Sequence, residues 1–92
     1  METTKYLEKE FLSEDEIIDR SIKTRTINNI AEKIKDLNTR TTDPQLIAML
    51  GSLSNLLKDA YVIDMYKFQF KIFTLAIQKE ISAIQEVISA EV

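Results

Sequence analysis

The sequence predicts an all-α fold built on an antiparallel helical hairpin, and three observations carry that prediction. The 92-residue chain has one glycine and one proline, too few for the tight turns of a sheet protein. Its apolar residues recur at helical spacing over most of its length. A single polar, threonine-rich stretch, residues 38–43, has the length of a helix–helix connection and runs into Pro44. Long helices are therefore expected over about 14–37 and 44–90, the latter either continuous or broken near 59–64. An acidic arm, residues 1–12, precedes a single helical domain, residues 13–92.

The first helix is marked by Ser13 as N-cap and Glu16 three residues later, the two halves of a capping box. Leu12 and Ile17 flank the cap as a hydrophobic staple. Glu14, Asp15 and Glu16 then fall in the first turn, where the helix dipole favours negative charge. A calcium loop would need alternating oxygen ligands and a turn glycine, and this acid cluster has neither. Downstream, Ile27, Ile30, Ile34 and Leu37 form one apolar stripe suited to a coiled-coil-like seam. Ile18 and Ile22 sit nearly opposite it. Either the helix kinks near residues 23–26, where Thr24 and Thr26 are mediocre helix formers, or it buries two faces.

Thr42 or Asp43 caps the next helix, and Pro44 occupies its first turn, where a missing amide hydrogen costs nothing. The connection is short, so the two helices return antiparallel. Leu46, Met49, Leu50, Leu53, Leu56, Leu57 and Ala60 make a clear stripe, with Gly51 inside it at a cost of about 0.5–1 kcal/mol against alanine. Phe70, Ile77, Ile81, Ile84 and Ile88 make a second stripe on a different face, and that change of face is what places a break near 59–64. Residues 62–73 are apolar nearly all round, which predicts burial on every side. Tyr66, Phe68, Phe70 and Ile72 also alternate with polar residues in a strand-like way, but no turn residue is available to make a hairpin, and the segment reads as helix.

Composition excludes more than it assigns. Without cysteine or histidine the chain lacks the usual zinc ligands and the commonest general base. No glycine-rich loop is present to cradle phosphate. Asp59 and Asp64 are the most interior acids by context, and they fit a helix junction better than an acid–base pair. No cofactor, metal or catalytic role is expected. The N-terminus lacks the apolar core of a signal peptide. The most apolar run, residues 60–77, carries Asp64, Lys67 and Lys71, which argues against a membrane span. These features suit a cytoplasmic protein. Charge is uneven: residues 1–19 balance at −5, residues 20–42 at +4 and residues 43–92 at −2. A domain this short buries only about 60–65% of its unfolded surface, so self-association is the expected source of further burial. Five of the seven aromatics lie between Tyr61 and Phe73. Interleaved with Lys67 and Lys71 they offer a base-stacking pattern, although aromatics at helical spacing more often form core or interface.

Arg20 and Arg25 on the first helix, the stripe Ile27, Ile30, Ile34 and Leu37, the run Asp43-Pro44-Gln45-Leu46, and Leu53, Leu56, Leu57 and Lys58 together resemble the central region of some tailed-bacteriophage terminase small subunits. The resemblance is a helical-hairpin pattern over roughly residues 18–70. It implies a compact, ring-forming, non-enzymatic component that binds viral double-stranded DNA and regulates the large packaging ATPase and nuclease subunit in the host cytoplasm. DNA contact would fall to Arg20, Lys23, Arg25, Lys33 and Arg40. The core and oligomer interface would comprise Ile18, Ile22, Ile27, Ile30, Ile34, Leu37, Leu46, Leu50, Leu53, Leu57, Tyr61, Phe68, Phe70, Ile77, Ile81 and Ile84. The alternative reading is a small helical adaptor or inhibitor that binds a single protein partner.

Overall fold

A computed structural model describes residues 16–91, and among them the regular structure is entirely helical. Helix α1 spans Arg20–Arg40, α2 spans Pro44–Val62 and α3 spans Lys67–Glu91. The three form an up-down-up arrangement, which two long-range contacts define. Lys23 at the start of α1 reaches Ile63 at the end of α2, so those two helices are antiparallel. Residues preceding α1 bond to the start of α3, so α1 and α3 run in the same direction.

Helix α1 begins later than its sequence pattern suggests. Asp19, in extended conformation, is the N-cap, and its carboxylate accepts from the Ser21 amide at 2.8 Å. The capping role predicted for Ser13 lies outside the described residues, as does the staple partner Leu12. Glu16, expected in a first turn, is instead in a bend. This later start resolves the conflict between Ile18 and the main stripe. Ile18 is not on the helix at all and packs half-buried against the core from the preceding segment, while Ile22 is left exposed. The helix is unbroken through residues 23–26, where the Thr24 hydroxyl donates to the Arg20 carbonyl. At the other end α1 runs three residues past Leu37. Arg40 pairs with Asp36 at 3.1 Å one turn back, and the Thr39 hydroxyl donates to the Asp36 carbonyl.

Only residues 41–43 connect α1 to α2. Buried Thr41 accepts from the Asp43 amide through its hydroxyl, and Asp43 in turn caps α2 by accepting from the Gln45 amide at 2.9 Å. Pro44 follows at the first helical position.

Between α2 and α3 the chain breaks at residues 63–66, overlapping the end of the expected interval. Ile63 closes the last turn of α2 through its amide to the Asp59 carbonyl, then turns extended. No glycine or proline makes this break. It follows from the two helices burying differently oriented stripes, which one straight helix could not present to a single core. At the start of α3 the Gln69 side chain accepts from the Tyr66 amide at 3.2 Å, reaching back as the glutamine of a capping box does.

One core unites the three helices. It holds Ile27, Ile30, Ile34 and Leu37 from α1, the leucines 46, 50, 53 and 57 with Ala60 from α2, and Phe70, Ile77, Ile81, Ile84 and Ile88 from α3. The buried Thr74 hydroxyl bonds back to the Phe70 and Lys71 carbonyls, so it enters the core without an unmet donor. Among the described residues no helix is long and apolar enough to cross a membrane.

Candidate interaction surfaces

Full burial was the expectation for residues 62–73, and the structure corrects it. Only Phe70 in that run is buried, with Met65 and Phe73 half-buried. Val62, Ile63, Tyr66, Phe68 and Ile72 are all exposed. The reason is geometric: among the described residues α3 has two neighbouring helices on one side and can bury only that face. Phe68, Ile72 and Leu75 follow the i, i+4, i+7 spacing of one helical row on the side of α3 away from the core. Helix α2 likewise leaves Ile47, Met49, Leu56 and Tyr61 open on the flanks of its buried stripe.

Of the residues assigned to core or interface, Ile27, Ile30, Ile34 and Leu37 of α1, the leucines 46, 50, 53 and 57 of α2, and Phe70, Ile77, Ile81 and Ile84 of α3 lie in the core, with Ile18 packed half-buried against it. Ile22, Tyr61 and Phe68 do not; they stay on the surface. Met49 and Leu56, placed in the α2 stripe, sit on its exposed edge for the same reason. Gly51 is not a point of close approach, since a Cβ added there would meet nothing within 4 Å.

The five candidate DNA-contacting cations separate into two kinds. Arg20, Arg25, Lys33 and Arg40 are exposed. Lys23 is 6% exposed, and its ammonium donates to the Ile63 carbonyl at 2.6 Å. Lys23 is therefore a structural residue and not a phosphate contact. It caps the C-terminal end of α2, which has no basic residue in its own last turn, and places positive charge where the helix dipole is negative. The exposed four do not share a face. With 3.6 residues per turn, Arg20 falls on one flank of the buried stripe, Lys33 and Arg40 on the other, and Arg25 on the back. Lys33 and Arg40 line a groove of about 400 Å³ between α1 and α3, together with Asp36, Gln78, Ser82 and Gln85. Asp36 already neutralises Arg40 there.

A second hollow, of about 340 Å³, is lined by Ile18, Arg20, Tyr61, Val62 and Asp64 around the Lys23 stem. It contains one carboxylate, which is not an acid–base pair. Asp59 is exposed elsewhere on α2. Among the described residues no three carboxylates gather as a metal-binding group.

In the segment before α1, only Ile18 is among the sequence-based site assignments, and the segment proves to be an organising contact. The Ile18 amide donates to the Met65 carbonyl at 2.9 Å, and the Lys67 amide donates to the Glu16 carbonyl at 2.7 Å. Ile17 and Tyr66 thus form an antiparallel bridge. Glu16 and Lys67 add an ion pair at 3.0 Å. One donor left over at the start of α3 is satisfied from 51 residues away, and a carboxylate stands near the positive end of that helix. No sequence signal marks a contact at this separation.

Comparison with family models, characterised proteins and solved structures returned no match for the chain.

Proposed function

We propose that the chain is a non-catalytic helical assembly protein that works as a homo-oligomer in viral DNA packaging, in the manner of the terminase small subunits its hairpin resembles. The observation that carries this reading is the set of large apolar side chains left open on α2 and the break: Ile47, Met49, Leu56, Tyr61, Val62 and Ile63. Apolar side chains on both flanks of the α2 stripe offer surface to neighbouring subunits on either side, and a small domain gains stability by covering it. In a ring, the exposed arginines and lysines of α1 would be repeated around the assembly. Phosphate contacts too weak to hold DNA singly would then act together. Light scattering at micromolar concentration should give a mass well above a dimer, and a strict monomer would remove the proposal. DNA contact is tested by gel shift at two salt concentrations with Arg20, Arg25 and Lys33 changed to glutamate. Lys23 is left intact so that the fold is preserved. Loss of a steeply salt-dependent shift is the expected result, and equal binding by wild type and variant would place the contact elsewhere.

A second reading, an adaptor that binds one protein partner, is favoured by a different observation. The cations of α1 are dispersed around the helix and Lys23 is withdrawn from the surface, so a single copy presents no continuous basic face. That reading expects a monomer or dimer with a one-to-one partner and no DNA affinity.

A further inference from the structure

Helix α3 carries one heptad pattern twice. Its core seam, Phe70, Thr74, Ile77, Ile81, Ile84 and Ile88, is buried and runs at alternating spacings of four and three. Moved on by two residues, about 200° round a helix, the same pattern falls on Ile72, Ala76, Lys79, Ala83, Glu86 and Ala90. All six are exposed. The solvated back of a helix is ordinarily polar or charged. This one is apolar at four of six positions, and its two charges are opposite in sign and seven residues apart. Long side chains and alanines also alternate along it without exception.

We infer that this outer seam packs on the same seam of a second copy, with the two α3 helices antiparallel. The alternation chooses the direction. Turning one helix end for end about residue 81 sets Ile72 opposite the partner's Ala90, Lys79 opposite the partner's Ala83 and Glu86 opposite the partner's Ala76. Each long side chain then meets the space an alanine leaves, as close packing of two helices requires. Lys79 also comes within about 4.5 Å, measured along the axis, of the partner's Glu86. Two-fold symmetry makes that ion pair twice. A parallel pairing would set lysine against lysine and glutamate against glutamate, with alanine facing alanine across a void. The paired seam runs about 27 Å, five turns of helix. An isologous contact of this kind closes at two copies. It uses none of the α2 side chains behind the packaging reading and does not rest on that reading. If both hold, the assembly contains an even number of chains.

The chain has no cysteine, so single cysteines can report neighbours in the full-length protein. Ile72→Cys and Ala90→Cys both lie on the exposed face of α3 and leave the core intact. Antiparallel pairing holds residue 72 of one copy about 27 Å from residue 72 of the other, and does the same for residue 90. A disulfide spans only about 4.4–6.8 Å between Cα atoms. In a glutathione redox buffer at micromolar protein, each variant alone should give no covalent dimer, and their equal mixture should give the mixed dimer. Ala83→Arg sets a second cation opposite the partner's Lys79. Added to both cysteine variants it should abolish the mixed dimer. Alone it should halve the mass read by light scattering while the helical circular dichroism is retained. Absence of the mixed dimer would overturn the inference, as would homodimers of either single variant in equal yield. A mass indifferent to Ala83→Arg would overturn it too. If only the α3 pairing holds, the wild type is a dimer and Ala83→Arg a monomer. If only the α2-based assembly holds, the mass stays well above a dimer in both proteins.

Discussion

A lysine near the start of a helix is ordinarily a solvated charge, yet Lys23 is buried and its ammonium reaches the neighbouring C-terminal end of α2. Lysine side chains do this when their methylenes can lie along apolar surface while the ammonium finds an acceptor. Lys23→Met keeps most of the stem but leaves the Ile63 carbonyl without its donor. The expected cost is about 1–3 kcal/mol, read as a lower urea midpoint. Lys23→Glu should be worse, because it sets a carboxylate against a carbonyl at the negative end of a helix dipole. Arg25→Glu, on the exposed back of α1, should stay within about 0.5 kcal/mol of wild type. If Lys23→Met and Arg25→Glu melt alike, Lys23 is not a structural cap. Asp19 makes a pH-dependent prediction at the same scale. The Ser21 hydroxyl and then the Ser21 amide hold its carboxyl below the ordinary value of 3.8. A group whose folded value is depressed contributes stability above its unfolded value, and that contribution is lost as pH falls through the folded value. Asp19→Asn should therefore flatten the decline of melting temperature below about pH 4. An unchanged acid profile would show that the cap adds nothing to stability.

At the scale of elements, the stripes were legible because periodicity is a property of residue types alone. Ile27, Ile30, Ile34 and Leu37 lie in the core, as do the four leucines at 46, 50, 53 and 57. The Asp43-Pro44 start of α2 was equally readable, because cap and proline act within a few residues. The start of α1 differs from the sequence reading at the residues described: Glu16, read as first-turn, pairs with Lys67 at the start of α3, and Asp19 caps a helix that begins at Arg20. The burial expected for residues 62–73 failed for a packing reason: composition shows which faces are apolar, while the number of neighbouring helices decides which are covered. Gly51 offers a clean test of this element-level picture. It sits in mid-helix with open space around its missing Cβ, so Gly51→Ala should stabilise the chain by about 0.4–1 kcal/mol. In a domain of this size each kcal/mol is worth about 4–8 °C in Tm. A lowered Tm would mean that another surface packs closely on that face.

At the scale of the whole molecule, the two contacts that fix the topology differ in kind from those that fix the helices. Lys23 with Ile63 and Glu16 with Lys67 join residues 40 and 51 apart, and only the folded chain brings them together. The break at residues 63–66 also sets an order of assembly. The α1–α2 hairpin closes across a three-residue turn, whereas α3 is locked by a contact spanning 51 residues. Loop-closure entropy grows with the length enclosed and must be met before distant contacts repay it. The expected order is therefore that the hairpin forms in the folding transition state and α3 docks afterwards. Leu53→Ala should slow refolding in stopped-flow measurements, while Ile84→Ala should chiefly speed unfolding. Equal slowing by both would put α3 in the nucleus. If α3 docks last, the Glu16–Lys67 contact belongs to the part of the fold that opens first, and its loss should modestly speed unfolding with little effect on the rate of folding.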